Sequence, residues 1–569
     1  MDKSKIFKDP IYGYIEIPNL LIKNVIDTPV FQRLRRIVQT SYAPLYASAL
    51  HNRFTHSLGV YHLGRIAINA IIEKATETEK DFFKEYQNVF LLACLLHDVG
   101  HAPFSHIGEV LYLKEKDDYS EIHTLLKEAV NDNKFSEDIP ASQSEFAAPH
   151  EIMSAIVGLK QFENLCIESE IPIFANPENR SFFARCITGY TYAEKGITTK
   201  MEKLNCLISL LNSQLIDVDK LDYLMRDAYM LGFNSVSIDY KRLLSALQIL
   251  TKGNGITELV YNKNAISIIE NVVYARDAEK RWIQMHPAVL YEMYLLRGAM
   301  RQLKSYMIGD SNLFSYRALT QEGVSFKAQS SCDRNIDSNI KQTAKDYKIQ
   351  LLSDDDIVYL LKNEFPNRYF DKFMNRNLRR HPLWKTEAEY KVFFLIEMGN
   401  SYWGQSFETT MDSLAKYTNQ NGIDYIDQEL LEKIEKEIDD LERDKSIDSR
   451  SKNTSLSDKR KIKAILDGLK SFSDENAIEF NYILIQKDQF VSSFDKDNFS
   501  KIKIVFSCDD RNPKIVDFGN VALSITAQKN ESNKTDSSFY HLFYKRADNN
   551  SFDIRKLERK WEDSLRDDN

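Results

Sequence analysis

Between Phe54 and Ile308 the apolar residues recur at three- and four-residue spacing through one segment after another, and this confines the region to packed helices. The pattern runs through SLGVYHLGRIAINAIIEKA, NVFLLACLLHDVGHAPF, HEIMSAIVGLKQF, LNCLISLLNSQLIDVDKLDYLMRDAYMLG and AISIIENVVYARDAEKRWIQMHPAVLYEMYLLRGAMRQLKSYM. None of these holds an apolar stretch long enough to span a bilayer without charge, so no transmembrane helix and no membrane partner is expected. Ahead of the helices, IYGYIEIPNLLIKNVI alternates loosely around Gly13 and Pro18, which predicts a short hairpin or extended arm. Thr28 followed by Pro29 predicts a capped helix through VFQRLRRIVQ, because proline in the first turn gives up an amide that has no helical partner anyway.

A chain of 569 residues exceeds a single domain, and two or three are expected. Residues 320–350 are polar and weakly patterned, which suggests a boundary and a division into 1–318, 319–470 and 471–569. In the second part SDDDIVYLLKNEF reads as a helix capped by Ser353. ELLEKIEKEIDDLERDKSIDSRSKNTSLSDKRKIKAILDGL reads as a charged helix, an exposed loop suited to disorder, and a second helix. In the last part AIEFNYILIQKDQF, SKIKIVFS, GNVALSITAQ and SFYHLFYKR carry β-branched and aromatic alternation, and RKLERKWEDSL reads as a closing helix. The expected class is mainly α: a helical bundle, further helical segments, and a small C-terminal α+β domain. Net charge of −8 disfavours wholesale wrapping of nucleic acid but permits a local basic pocket for an anionic substrate. Cys94, Cys166, Cys186, Cys206, Cys332 and Cys508 show no paired spacing, and the N-terminal segment has no secretory signal pattern, so a reducing, cytoplasmic setting is expected.

Three blocks concentrate side chains suited to metal chemistry. His97 and Asp98 end an apolar helix in LLACLLHDVGHAPFSH, where an imidazole and a carboxylate lose solvation unless an ion or hydrogen bonds restore it. HNRFTHSLGVYHLG supplies His51, Arg53, His56 and His62, and LIDVDKLDYLMRDAYMLG supplies Asp217, Asp219, Asp222 and Asp227. Asp219, Tyr223 and Asp227 share one helix face by their four-residue spacing, and Asp222 with Arg226 reads more simply as a structural ion pair. His51 and His62 fit surface or satisfied core positions. Mixed His and Asp donors suit Mn, Mg, Fe, Co, Ni or Zn and leave room for water and phosphate.

HNRFTHSLGV, LLHDVGHAPFSH, the pair His150–Glu151, and DVDKLDYLMRD occur in the order found in the HD-domain superfamily. Within it the chain resembles the deoxynucleoside triphosphate triphosphohydrolases of the SAM-and-HD-domain, dGTPase-like type. The likeness covers roughly residues 10–310 and fades after about residue 400. It implies an HD-domain phosphohydrolase core in the first part, with a divalent metal held by His56, His97, Asp98 and Asp219. It also implies His106, His101, Glu109 and His150 around the scissile phosphate, with Glu151 as the companion that orients a histidine. Gln39, Arg53, Lys220, Tyr223, Asp227 and Arg276 fall where such enzymes contact phosphate, sugar or base. Homo-oligomers and nucleotide substrates are further implications, and no separate SAM module is expected.

A bound metal acidifies water and offsets charge on phosphoryl oxygens. His106 or His150 could move protons near neutral pH, a carboxylate such as Glu109 or Glu151 could hold the tautomer, and Arg53 and Lys220 could meet an anion. Attack at the α-phosphorus would release nucleoside and intact triphosphate. Several positions depart from the pattern. Glu109 replaces an aspartate, Thr40 and Ser41 follow Gln39 where Leu-Gly is common, and Lys280 and Gln284 follow Arg276 on a polar face. The sugar-side change keeps open an HD-type phosphodiesterase acting on cyclic or modified nucleotides or single strands. The long tail keeps open a nucleotide-binding sensor or scaffold.

Overall fold

The computed structural model describes residues 4–40, 45–109, 112–113, 118–167, 169–193, 196–233, 236–251, 256–306, 351–392, 402–444, 449–488, 492–496, 499–506, 514–522, 538–545 and 553–566. Ser41, Cys332, Cys508 and the polar boundary segment 320–350 lie outside them. The fold is mainly α, and the described residues fall into two compact units. The first draws on 1–283, 296–367 and 491–532; the second on 284–295, 368–490 and 533–569.

In the first unit, β1 (Ser4–Asp9) and β2 (Gly13–Pro18) form the antiparallel hairpin expected from the sequence, with Gly13 at φ +79° in its turn. Thr28 precedes a helix of only Pro29–Gln32, which tightens into a 3-10 turn over Arg33–Arg36. The Thr28 hydroxyl does not cap it, because it donates back to the Val25 carbonyl at 2.6 Å.

Helix α1 (Arg53–Lys74) is the axis of the core. Asn52 caps it by accepting from the Thr55 amide, and most of its first twelve residues are buried. Helix α2 (Glu77–Leu96) starts at a reciprocal Thr76–Glu79 cap and packs along α1. Its last eight residues are all buried, so the chain emerges at His97 from deep inside the core. Helices α3 (Ser120–Val130), α4 (Pro149–Gln161), α5 (Pro177–Thr188) and α6 (Thr199–Leu211) complete the bundle around α2. Helix α7 (Val218–Leu231) is capped by Asp217, packs on α1, and ends at Gly232 with φ +74°. Beyond it follow β3 (Leu247–Thr251), β4 (Thr257–Asn262), α8 (Ile266–Glu279) and the short helix α9 (Asp354–Tyr359).

The tail divides in a way the sequence reading does not contain. β5 (Lys503–Val505) pairs in parallel with β4, and β6 (Ile515–Asp517) pairs with β5, so these residues extend a sheet of the first unit in the order β3-β4-β5-β6. Buried Ile502, Ile504 and Val505 explain the attraction, and a parallel pair requires a long crossover, which the intervening chain provides. GNVALSITAQ, expected as a strand, begins as a 3-10 turn at Phe518–Asn520, and its part from residue 523 lies outside the described residues.

In the second unit Ser538–Tyr544 pairs with His381–Pro382 on one side and Asn481–Asp488 on the other, with Ile426–Asp427 at the far edge. Leu430, Leu431, Ile434 and Ile438 give the charged helix Gln428–Arg443 its buried stripe. The loop expected after it is largely helix, Ser449–Glu475. Trp561 of the closing helix Arg555–Arg566 is fully buried, its indole donating to the Ile465 carbonyl at 2.8 Å.

Candidate metal centre and histidine cluster

His56 sits in the first turn of α1 and is fully buried. Its Nδ1 lies 2.7 Å from Asp222 Oδ2 on α7, and Arg226 holds that carboxylate from the next turn at 2.8 and 3.0 Å. Burial alone would raise the Asp222 carboxyl; Arg226 and the His56 bond hold it well below the usual range, so it is ionised and Nδ1 donates. At the end of α2, His97 Nδ1 lies 3.0 Å from the Cys94 carbonyl, which can only accept. Both rings therefore commit Nδ1–H to the protein and turn Nε2 inward, 3.2 Å apart. Asp219 Oδ1 stands 2.9 Å from His56 Nε2 and 3.7 Å from His97 Nε2, and Asp98 Oδ2 is 3.6 Å from each.

Two nitrogen lone pairs and two carboxylates pointed at one another repel unless a positive charge lies among them. The same surroundings favour positive charge on the ring: burial pulls the His56 pKa down, yet Asp219 and Asp222 push it up. Atoms of His56, His97 and Asp219 lie within 4.8 Å of one another, close enough to share one ion. The donor chemistry fits a divalent cation of borderline softness. Asp98 is also paired with Arg53 Nη1 at 2.7 Å, and Arg53 continues to Ser105 Oγ at 3.0 Å.

Gly59, on the same helix face as His56, permits the approach of α7. A Cβ there would stand 1.8 Å from Asp222 Oδ1 and 2.6 Å from Arg226 Nη2. From the arm, the Tyr12 hydroxyl donates to Asp222 Oδ1 at 2.6 Å, and Asp9 accepts from Arg226 at 3.0 Å. Asp222, read from spacing as a simple ion-pair partner of Arg226, thus also orients a candidate ligand. Its position three residues after Asp219 on one helix was the available signal.

Past Asp98 the chain turns through HAPFSH, with Phe104 and Ser105 both left-handed at φ 57° and 56°. The turn gathers His101, His106, Glu109 and His150 into a second cluster. His101 is fully buried, stacks on His150 with centroids 4.2 Å apart, and has neither ring nitrogen hydrogen-bonded among the described residues. One oxygen of Glu109 meets His150 Nδ1 at 2.9 Å and also His106 Nδ1, so the longer side chain reaches both rings. Burial works against charge here, but the pairing wins: Glu109 is held well below its usual range and His150 is pushed up to about 9.

The remaining expected contacts are engaged inside the protein. Glu151 makes no hydrogen bond to a histidine ring among the described residues. Its oxygens accept from the Ala148 amide at 2.6 Å and from Asn212 at 2.8 Å, closing the start of α4, and burial raises its pKa. Lys220 Nζ is held by Asp217 and the Ser213 carbonyl, both at 2.5 Å. Asp227 pairs with His51 at 2.7 Å, giving that histidine a partner that spacing did not reveal; His62 is buried beside Tyr12. Arg276 donates to the Tyr223 hydroxyl. The regular ladder expected after Arg276 is broken, since α8 gives way to a π-turn over Lys280–Gln284 and Lys280 binds Ser493. Gln39 and Thr40 are buried, and Gln39 Oε1 and Thr40 Oγ1 lack hydrogen-bond partners among the described residues.

Residues 53–154, which carry His56, His97 and Asp98, match the model of the HD domain family. The chain is 31% identical over 268 residues to human deoxynucleoside triphosphate triphosphohydrolase SAMHD1, covering 45% of this chain and 37% of that protein. It is 27% identical over 308 residues to the uncharacterised protein YwfO of Bacillus subtilis, covering 53% and 57%. These matches thus span about two fifths to three fifths of the relatives' own lengths. A crystal structure of a hypothetical protein from Aquifex aeolicus shares the fold, with a TM-score of 0.51 over 99% of this chain and 100% of that one, at 18% identity. No helix among the described residues is long and apolar enough to cross a membrane.

Proposed function

We propose that the chain is a metal-dependent phosphohydrolase that converts deoxynucleoside or nucleoside triphosphates to nucleoside and inorganic triphosphate. One observation carries this reading: inward-facing His56 and His97 Nε2 atoms meet Asp98 and Asp219 beside a histidine cluster organised by Glu109. The name of the SAMHD1 relatives supplies the substrate class.

His56, His97, Asp98 and Asp219 would hold the ion. A divalent cation there supplies acidification of water and neutralisation of charge on phosphoryl oxygens. Asp222 and the Cys94 carbonyl keep the two ligand rings in the tautomer that presents Nε2. Arg53, anchored on Asp98 and Ser105, adds fixed positive charge next to the ligand set. Glu109 engages Nδ1 of His106, a ring 65% exposed, and leaves Nε2 as the nitrogen that exchanges a proton with the leaving oxygen. His150, pushed up to about 9 by the same carboxylate, stays cationic at neutral pH and favours an anionic phosphate.

The test is product analysis with the purified chain, Mn, Mg, Fe or Co, and a panel of deoxynucleotides and ribonucleotides. Triphosphate appearing in step with nucleoside is the expected result. Orthophosphate, pyrophosphate or nucleoside monophosphate as the sole phosphorus product would overturn it. A second reading, hydrolysis of a phosphodiester bearing a ribose hydroxyl, draws on the buried oxygens of Gln39 and Thr40 that lack partners among the described residues. Cyclic and single-stranded substrates in the same panel distinguish it.

A further inference from the structure

Asp354 belongs to none of the four blocks that carry the metal and histidine chemistry, and more than seventy residues separate it from Arg276. It is nevertheless buried against the site, 8% exposed. Its Oδ1 accepts from the Phe104 amide at 2.6 Å and its Oδ2 from the Val38 amide at 2.9 Å. Phe104 is the first of the two left-handed residues of the HAPFSH turn, and Val38 immediately precedes Gln39. A single carboxylate therefore bridges the turn between His101 and His106 to the segment carrying Gln39. The Ser105 hydroxyl, donating to the Val38 carbonyl, closes the same bridge from the other side.

Arg33 completes the arrangement. This buried guanidinium donates to the Leu352 carbonyl at 2.7 Å and the His101 carbonyl at 2.5 Å, joining the residues just before Asp354 to the start of the turn. Two adjacent non-glycine residues in the left-handed region each cost roughly 1 kcal/mol or more, and such a backbone persists only where its surroundings over-determine it. The Asp354 carboxylate and the Arg33 guanidinium supply that determination.

We propose that Asp354 is a positioning residue: it holds the His101–His106 turn and the Gln39 segment in register, and so sets where the histidine cluster stands relative to substrate. The role in turnover rests on the phosphohydrolase reading above, whereas the clamp on the backbone does not. Ser353, whose amide and hydroxyl bond Asp356 at the start of α9, supports the helix with no hydrogen bond to the turn among the described residues and provides the control.

The experiment compares full-length wild type with Asp354→Ala, Asp354→Asn and Ser353→Ala. Amide hydrogen exchange is read by mass spectrometry in peptides spanning 34–40 and 99–109, together with kcat, KM and affinity for Mn. Asp354→Ala is expected to speed exchange in both peptides by about tenfold or more, since both amides lose their acceptor. It is expected to lower kcat about 10- to 100-fold, as displacement of a catalytic group by an ångström does, with Mn affinity changed less than about threefold because the ligands lie elsewhere. Asp354→Asn, which keeps one oxygen acceptor, should fall between, and Ser353→Ala should leave both peptides and kcat at wild-type values. Unchanged exchange in both Asp354 variants, or an equal fall of kcat in Ser353→Ala, overturns the proposal. If the wild-type chain releases no triphosphate, the activity reading fails, while exchange still decides whether the clamp exists.

Discussion

Gly59→Ala places one methyl group against the carboxylate that orients His56. The new carbon would stand 1.8 Å from Asp222 Oδ1, so that oxygen must retreat by about 1.6 Å to reach ordinary contact. Such a movement is large enough to break the 2.7 Å bond to His56 and the 2.8 and 3.0 Å bonds to Arg226. Alanine in a helix interior gains up to about 1 kcal/mol over glycine. Disrupting a buried ion pair costs about 3–5 kcal/mol. The balance is a net loss of roughly 2–4 kcal/mol, opposite in sign to what helix propensity alone predicts. A urea titration followed by far-ultraviolet circular dichroism measures it, and competition with a chelating dye measures metal affinity, expected to fall about 10- to 100-fold as His56 loses its orienting partner. A variant with the wild-type urea midpoint or a higher one, and with unchanged metal affinity, would refute the close packing of Asp222 against α1.

Asp219→Ala is expected to lose both divalent metal and turnover while keeping the wild-type far-ultraviolet spectrum, because the carboxylate is one of the inward-facing donors and not part of the apolar core; metal analysis and spectroscopy check this together. Glu109→Gln tests the histidine cluster by pH. Burial lowers His150 and the Glu109 charge overcomes it, raising the ring to about 9. A raised folded-state pKa stabilises fully below the unfolded value near 6.5 and loses that contribution as pH rises through about 9. The wild type should therefore exceed Glu109→Gln in stability most at mildly acidic pH just below about 6.5, with the gap shrinking through neutral pH towards pH 9 and beyond; a gap that widens with pH over this range in denaturant titrations contradicts the pairing. In the second unit, Trp561→Ala removes a fully buried ring and its bond to Ile465, and should cost about 3–5 kcal/mol in thermal or denaturant unfolding.

Much of the first unit was legible because periodicity and composition act locally. The helices from Phe54 onward, the hairpin around Gly13 and the mainly α class follow from spacing that any packed core demands. A polar gathering was readable because three blocks rich in His and Asp interrupt otherwise apolar helices, where unsatisfied charge is expensive; the resemblance to HD-domain enzymes, not the spacing, singled out His56, His97, Asp98 and Asp219 among them. Partner choice was less readable. Lys220 looked like a donor for phosphate and is occupied by Asp217; Glu151 looked like a companion to a histidine and closes a helix start, while Glu109 takes both rings. In each case competing partners lay within reach, and only three-dimensional distance selects among them. Asp354 reads locally only as the residue after the Ser353 cap of a short helix, since nothing near it in sequence reveals a contact with Phe104 about 250 residues earlier.

The parallel pairing of β4 with β5 also bears on how the chain is made. About 240 residues separate the two strands, and at ordinary translation rates of about 5–20 residues per second the second emerges some 12–50 seconds after the first. During that interval β4 has β3 on one flank and an open row of amides and carbonyls on the other, a template for any passing strand. His56, His97, Asp98 and Asp219 are all synthesised before β5 and β6. A nascent chain halted before Lys503 would carry every candidate metal ligand together with an unpaired β4 edge, the condition under which an open strand edge invites pairing with another chain.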